Sequence, residues 1–271
     1  MIQSYFFIPA NHPKLEEKLN GLQADFFIID LEDALDSNQL DNSLKRLELI
    51  KDKERLWIRP RMFLNNVFNS NLLKGLFDLG FRNFVIPKVR NISHINQVES
   101  CIGESGNVIL LVENPEFLLN LRDILNLTTL NVVGLGFGSQ DYTTETGMKH
   151  DPLLLRFPRF IIATIAKAFG ISCIDIACMD VEDEDTFKKE VSEAINMGFD
   201  GKFIIHPKQL DVLNSYPLFS NADIDEAEQV LAEYERLNKP SVFVFNGRAI
   251  EPPHIKNYLK IKAWRLRYGR K

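Results

Sequence analysis

The chain has 271 residues, 45% hydrophobic and 25% charged, which suits one large α/β domain with a sizeable core better than two small ones. A formal net charge of -5 argues against a nucleic-acid or anionic-membrane surface as the main function. The three cysteines, Cys101, Cys173 and Cys178, lack paired C-x-x-C spacing, no apolar run reaches transmembrane length, and Met1-Ile2-Gln3-Ser4 shows no basic leader; the expected setting is therefore a reduced cytoplasm, with neither disulfides nor a zinc site.

From the start, short apolar runs alternate with amphipathic stretches about eight times. The strand candidates are Tyr5–Pro9, Phe26–Leu31, Leu56–Arg59, Phe84–Lys88, Val108–Glu113, Val132–Gly138, Cys173–Ala177 and Phe203–His206. Each is continuous rather than alternating and is followed by helical spacing, as in Leu72, Leu73, Leu76, Phe77 and Leu79. Eight such units predict an α/β fold of the (β/α)8, or TIM-barrel, class. An open doubly wound sheet fits less well, because the one glycine cluster, Gly134-x-Gly136-x-Gly138, lacks G-x-G-x-x-G spacing. Helix punctuation follows the same register: Pro13 opens and Gly21 closes the first helix, Pro158 opens a long one closed by Gly170, and Pro207 opens the helix after the last barrel strand. The barrel is expected over residues 1–220. Residues 221–271 read as a C-terminal extension: a helix over Ala222–Leu237, an apolar run over Ser241–Phe245, an Asn246-Gly247 turn and a last helix from about Pro253. Ile255, Tyr258, Leu259 and Leu266 are expected on one face of that helix, packing on the barrel or a neighbouring subunit.

Function in a barrel of this kind sits where strands end. Those ends are polar: Asp30-Leu31-Glu32-Asp33, Arg59-Pro60-Arg61, Lys88, Glu113, Asp141, Asp175 and His206. The centre of the pattern is Val132 to Asp141, a strand that breaks into glycines and delivers an acid, beside a preceding strand that ends the same way at Glu113. The glycines are expected to permit tight or left-handed backbone. Acids gathered at one mouth repel one another, so Asp30, Glu32, Asp33, Glu113 and Asp141 call for cationic company from Arg59, Lys88 and a divalent metal. Carboxylate donors without facing histidines or cysteines favour a hard cation, Mg²⁺ first and Mn²⁺ second, held by Glu113 and Asp141. The competing reading makes Asp141 the N-cap of the next helix and pairs Glu113 with Lys88, with no metal. Lys88 reads as a charge partner of the acids rather than a Schiff-base nucleophile.

Several motifs in order resemble the citrate lyase β-subunit family of HpcH/HpaI-type aldolases. They are Ser4-Tyr5-Phe6-Phe7-Ile8-Pro9, Ile29-Asp30-Leu31-Glu32-Asp33-Ala34, Pro87-Lys88, Val112-Glu113, Phe137-Gly138-Ser139-Gln140-Asp141 and, most specific, Gly198-Phe199-Asp200-Gly201-Lys202-Phe203-Ile204-Ile205-His206-Pro207. The resemblance implies a TIM barrel that forms a trimer or larger homo-oligomer, and Mg²⁺ on Glu113 and Asp141. It also implies cleavage or formation of a carbon–carbon bond in a 3-hydroxyacyl-CoA such as citryl-, malyl- or citramalyl-CoA, with an oxo acid and an acyl-CoA as partners. On that basis Arg59, Glu251 and Lys88 are the catalytic candidates, with Arg59 polarising the substrate carbonyl and Glu251 moving a proton. Glu32, Asp33, Gly138, Ser139 and Gln140 are the substrate-binding candidates, the amides around Gly138 to Asp141 holding the oxo-acid carboxylate.

The chain departs from the family pattern at Gln3 and Ala10, within Arg59-Pro60-Arg61-Met62, at Gln140 and Glu251, and in the later helix start at Pro158, changes that fall on the substrate side. Glu251 stands where relatives carry an aspartate, one methylene shorter. Two alternatives follow: a class II pyruvate-type aldolase acting on free hydroxy-oxo acids without CoA, and a catalytically silent relative serving as a binding or assembly subunit.

Overall fold

The computed structural model describes residues 2–32, 37–64 and 67–268. Eight parallel strands close into a barrel: β1 (Gln3–Pro9), β2 (Phe26–Asp30), β3 (Leu56–Arg59), β6 (Asn83–Ile86), β7 (Asn107–Val112), β8 (Asn131–Phe137), β9 (Ser172–Asp175) and β10 (Gly201–Ile204), which pairs back with β1. A small antiparallel pair, β4 (Phe63–Leu64) and β5 (Val67–Phe68), follows β3. The connecting helices are α1 (Leu15–Gly21), α2 (Ser37–Glu48), α3 (Ser70–Asp78), α4 (Ile92–Ile102), α5 (Pro115–Leu127), α6 (Ser139–Thr146), α7 (Arg156–Phe169), α8 (Glu184–Met197) and α9 (Pro207–Ser215). All eight expected strands form, with no end shifted by more than two residues.

Alternation along each strand divides the side chains between two cores. Tyr5, Ile28, Trp57, Val85, Ile109, Leu111, Ile174 and Phe203 fill the barrel interior. The intervening positions, such as Phe6, Phe27, Ile58, Phe84, Leu110 and Ile204, pack outward under the helices. Strand parity then decides which charged residues reach the mouth. Asp30, Arg59 and Glu113 each stand two positions beyond an interior residue and share its face. Asp175 and Lys202 adjoin the interior residues Ile174 and Phe203 and therefore face the helices.

Asp175 accordingly departs from its expected place at the mouth. It is fully buried, and both its oxygens accept from Arg159 of α7, at 2.9 and 2.8 Å. Lys202, also fully buried, lies 2.9 Å from Glu190 of α8 and 3.6 Å from Asp175. Charges removed from water need such mutual pairing. The same segment carries Asp200, which binds Lys167 at 2.6 Å and accepts from the Cys173 amide at 3.0 Å. The Gly198–Pro207 motif is therefore an anchor between the barrel wall and its helices.

The glycines of β8 provide room instead of unusual backbone. None of Gly134, Gly136 and Gly138 has positive φ. A Cβ on Gly136 would lie 2.6 Å from the Phe203 ring and 2.7 Å from Leu111, and one on Gly138 would lie 2.3 Å from Cγ of Glu113. Helix punctuation is closer to expectation. Pro207 is the first residue of α9, and Gly170 caps α7 in the left-handed conformation. Pro158 lies within the first turn of α7, which begins at Arg156; α1 begins two residues past Pro13 and includes Gly21.

Backbone contacts divide the chain into two compact units, the first ending at Tyr216 and the second beginning at Pro217, a few residues before the boundary read from sequence. In the second unit, Ser220 and Asp223 form a capping box at the start of α10 (Asn221–Arg236). β11 (Phe243–Phe245) and β12 (Arg248–Ile250) make a hairpin whose turn residues, Asn246 and Gly247, both have positive φ, as a two-residue turn of this hand requires. α11 (Pro252–Tyr268) completes the unit. Val230, Leu231, Phe243, Ile250 and Ile255 form its core. Leu259 and Leu266 depart from the expected apolar face: they are exposed while Ile255 is buried. No helix of the described residues is long and apolar enough to cross a membrane.

Candidate active site

The strand ends enclose a cavity of about 350 Å³ lined by Asp30, Arg59, Glu113 and Gly138 to Asp141, over an apolar floor that includes Phe7, Leu111 and Phe203. β2 and β3 run in register so that Asp30 stands opposite Arg59. The carboxylate takes two bonds from the guanidinium, at 2.8 and 2.6 Å, in a bidentate pair. Glu32 approaches the third guanidinium nitrogen at 3.1 Å, and the Phe7 ring lies 5.0 Å from the guanidinium carbon. Arg59 is thereby fixed before any ligand arrives.

Glu32 is nearly inaccessible to solvent and also holds the Lys88 ammonium, at 2.9 Å. It thus serves here as an anchor for two cations. Lys88 adopts a left-handed backbone, φ 58°, unusual for a residue with a Cβ. Its amide donates to Oε2 of Glu113 at 2.6 Å. Lys88 therefore meets Glu113 through its main chain, while its ammonium goes to Glu32. Asp33 lies outside the described residues.

Glu113 is the most perturbed acid of the mouth. Burial, reinforced by the charges of Glu32 and Asp141, pushes its carboxyl up to about 8, against the smaller opposing pull of the Lys88 amide and Arg59. Its Oε1 is buried without a hydrogen-bond partner. Asp141 is the third residue of α6, and the N-cap position is Gly138; the capping role weighed for Asp141 is overturned. Glu113 and Asp141 line the same cavity and also border a second one, of about 400 Å³, that includes Lys88, Arg90 and His94.

A hard cation fits this setting. The buried oxygen lacking a partner and the adjacent second carboxylate are an anionic donor pair that a divalent ion would neutralise. Among the described residues no group of three or more His, Cys, Asp or Glu side chains is placed to hold a metal. Two carboxylates would leave the remaining positions to water or substrate oxygens, the habit of Mg²⁺.

α6 begins without a side-chain cap, beside Ser139 and Gln140 on the cavity wall. Uncapped amides at a helix start suit an anionic group. Ser139 Oγ lies 2.9 Å from Nε2 of His150. His206 is the N-cap of α9, its Nδ1 accepting from the Lys208 amide. Glu251 belongs to the second unit, between β12 and α11, where it is exposed and its amide donates to His254 Nδ1 at 3.0 Å. The three cysteines are free; burial pushes the Cys173 thiol up to about 12 and that of Cys178 up to about 11, which removes these two as nucleophiles.

Three participants escaped the sequence reading of the site. Asp30 was legible as an acid but not as the bidentate partner of Arg59, although the matching ends of adjacent strands carry that signal. Phe7 and His150 had no such signal; the first is one aromatic among twenty phenylalanines, and the second gains its place only through the turn after α6.

A closed parallel barrel with a buried Glu113, a second acid at Asp141 and a clamped arginine lining one cavity at its mouth is an arrangement suited to oxygen-rich anions. Residues 3–207 match the HpcH/HpaI aldolase/citrate lyase family, and the chain belongs to that family. The chain is 24% identical over 269 aligned residues to the citrate lyase subunit beta of Leuconostoc mesenteroides subsp. cremoris, covering 93% of this chain and 89% of that protein. It is 26% identical to a (3S)-malyl-CoA thioesterase of Cereibacter sphaeroides, covering 93% and 90% respectively. The fold matches that of the protein CitE from Mycobacterium tuberculosis, solved in complex with magnesium, acetoacetate and coenzyme A, with a TM-score of 0.82 over 97% of each chain at 23% identity.

Proposed function

We propose that this protein is a Mg²⁺-dependent carbon–carbon lyase that splits a 3-hydroxyacyl-CoA of the citryl-, malyl- or citramalyl-CoA type into an oxo acid and an acyl-CoA. The observation that carries this reading is the convergence of Glu113, Asp141 and the clamped Arg59 on one cavity. Glu113 and Asp141 would hold the metal. When bound, Mg²⁺ would supply Lewis-acid stabilisation of the alkoxide that the 3-hydroxyl oxygen becomes on losing its proton.

Arg59 donates to the same oxygen, and its pairing with Asp30 and Glu32 removes the need to reorganise during the reaction. The first amides of α6 receive the carboxylate of the oxo-acid portion, with Ser139 and Gln140 beside it. Phe7, Leu111 and Phe203 keep water from the breaking bond. Glu251, reaching in from a neighbouring subunit as the family resemblance implies, takes the hydroxyl proton and returns one to the acyl carbon, its longer side chain standing in for the shorter acid of relatives. The same reading has the protein working as a homo-oligomer, a trimer or larger.

A panel of CoA thioesters assayed with and without EDTA tests this. Release of an oxo acid that is lost in EDTA and in Asp141→Ala supports the proposal. Thioester cleavage indifferent to both excludes the metal role, and cleavage confined to free hydroxy-oxo acids assigns the site to aldol chemistry without CoA.

A further inference from the structure

The strand order divides the cavity of the mouth into two arcs. The charged arc is Asp30 at the end of β2, Arg59 at the end of β3, and Glu113 and Asp141 after β7 and β8. The other comes from three neighbouring strands, β9, β10 and β1, and is apolar throughout: Ala177, Met179, Phe203, Ile205, Phe7 and Pro9. Phe7 and Pro9 continue the interior face of Tyr5, and Ile205 that of Phe203, so alternation along the strands turns them toward the cavity. The Phe7 and Phe203 rings pack 5.2 Å apart. Met179 is half exposed, at the outer edge of the arc.

Positive charge is confined to the first arc. Arg59 is the one cation among the described residues that line this cavity, and Asp30 and Glu32 already pair with it. Lys88 lines the neighbouring cavity, with its ammonium on Glu32. The candidate thioesters differ at one point: on carbon 3, beside the hydroxyl and the first carboxylate, citryl-CoA carries a carboxymethyl group, citramalyl-CoA a methyl group and malyl-CoA a hydrogen. With the hydroxyl and first carboxylate on the charged arc, and the long thioester arm leaving by the open mouth, that substituent meets the apolar arc. A second carboxylate there would lose water and gain no cation, whereas an alkyl group gains from the same wall.

We infer that Ala177, Met179 and Ile205 are specificity-determining residues that admit an alkyl group on carbon 3 and reject a second carboxylate, an inference that rests on the lyase reading above. The substrate class is then a 3-hydroxyacyl thioester with a single free carboxylate, and the product is an alkyl oxo acid with one negative charge. Citryl-CoA, which would release a dianion, falls outside it. Selection works through charge and not through size, because the wall offers hydrocarbon contact to any neutral substituent that fits. Met179 is the place where the choice can be reversed: a long cationic side chain at that exposed edge can keep its head in water while reaching the substituent.

The test uses the full chain with Mg²⁺. Titration calorimetry compares pyruvate, freshly dissolved oxaloacetate and 4-methyl-2-oxopentanoate, which matches oxaloacetate in shape but lacks the second charge. Cleavage of citramalyl-CoA and citryl-CoA is followed in parallel. Both alkyl oxo acids should bind at least about tenfold more tightly than oxaloacetate, and kcat/KM should favour citramalyl-CoA over citryl-CoA by at least about 100-fold. Met179→Arg should narrow both ratios at least about tenfold, while Met179→Gln, similar in length but neutral, should move them by less than about threefold.

Citryl-CoA cleaved as well as citramalyl-CoA, or oxaloacetate bound as tightly as pyruvate, overturns the inference and leaves the lyase reading standing. Rejection of 4-methyl-2-oxopentanoate together with oxaloacetate also overturns it, since size then decides. Ratios unmoved in a Met179→Arg variant that melts as the parent does overturn the role of Met179. Alkyl oxo acids bound in preference to oxaloacetate, with neither thioester cleaved, uphold the selective wall and overturn the lyase reading. No binding of any oxo acid and no cleavage overturn both.

Discussion

Glu113 offers the sharpest quantitative consequence of the site. Its carboxyl is pushed up to about 8, so the metal-free protein carries it mostly protonated at pH 7 and mostly ionised at pH 9. A carboxylate must lose that proton to bind a cation, so Mg²⁺ binding should release most of a proton at pH 7 and little at pH 9. Apparent affinity should rise roughly tenfold per pH unit below about 8 and level off above it. The sign follows from the direction of the shift: raised proton affinity opposes the metal at low pH and stops opposing it above the raised value. Titration calorimetry at pH 7 in two buffers of different protonation enthalpy yields the proton count directly. Glu113→Gln cannot lose a proton there, and it should lose both the linked release and most of the affinity. Tight Mg²⁺ binding with no proton release at pH 7, or release that survives Glu113→Gln, would refute the reasoning.

Three further outcomes follow from other parts of the molecule. Gly138→Ala places a Cβ 2.3 Å from Cγ of Glu113, so the carboxylate must move; Mg²⁺ affinity by calorimetry should fall at least about tenfold while the melting temperature changes little. Arg59→Lys exchanges a three-way clamp for a single ammonium and should lower kcat for oxo-acid release by about 10- to 100-fold with the barrel intact by circular dichroism. Lys202→Met leaves the fully buried Asp175 and the adjacent Glu190 short of positive charge, and denaturant titration should show a loss of about 3 to 5 kcal/mol.

The barrel was legible because each parallel strand is buried on both faces, and continuous apolar runs such as Val108 to Val112 and Phe26 to Ile29 mark such strands. Glu113 was legible as the acid directly after the last apolar residue of its strand, and Asp141 as the acid that follows the glycine break of the next; both line one cavity. Parity along the strand, easily lost in a list of charges, separates Asp30 from Asp175: one shares the face of Ile28, and the other faces away from that of Ile174. Lys88 was legible as a charge partner of the acids, but not which acid takes which group: its left-handed backbone, absent from any pattern of hydrophobicity, sends its amide to Glu113 and its ammonium to Glu32. Leu259 and Leu266 show the limit of helical spacing in an extension whose apolar core is only a few residues, since Ile255 alone anchors that side of the helix among buried positions.

The account stands or falls on whether one divalent ion engages both acids. Crystals soaked in Mn²⁺, a stand-in for Mg²⁺ with a usable anomalous signal, test this directly. The account expects a single anomalous peak bonded to a side-chain oxygen of Glu113 and one of Asp141. A peak bonded to only one of them, or sited elsewhere with the mouth left vacant at saturating Mn²⁺, would contradict it.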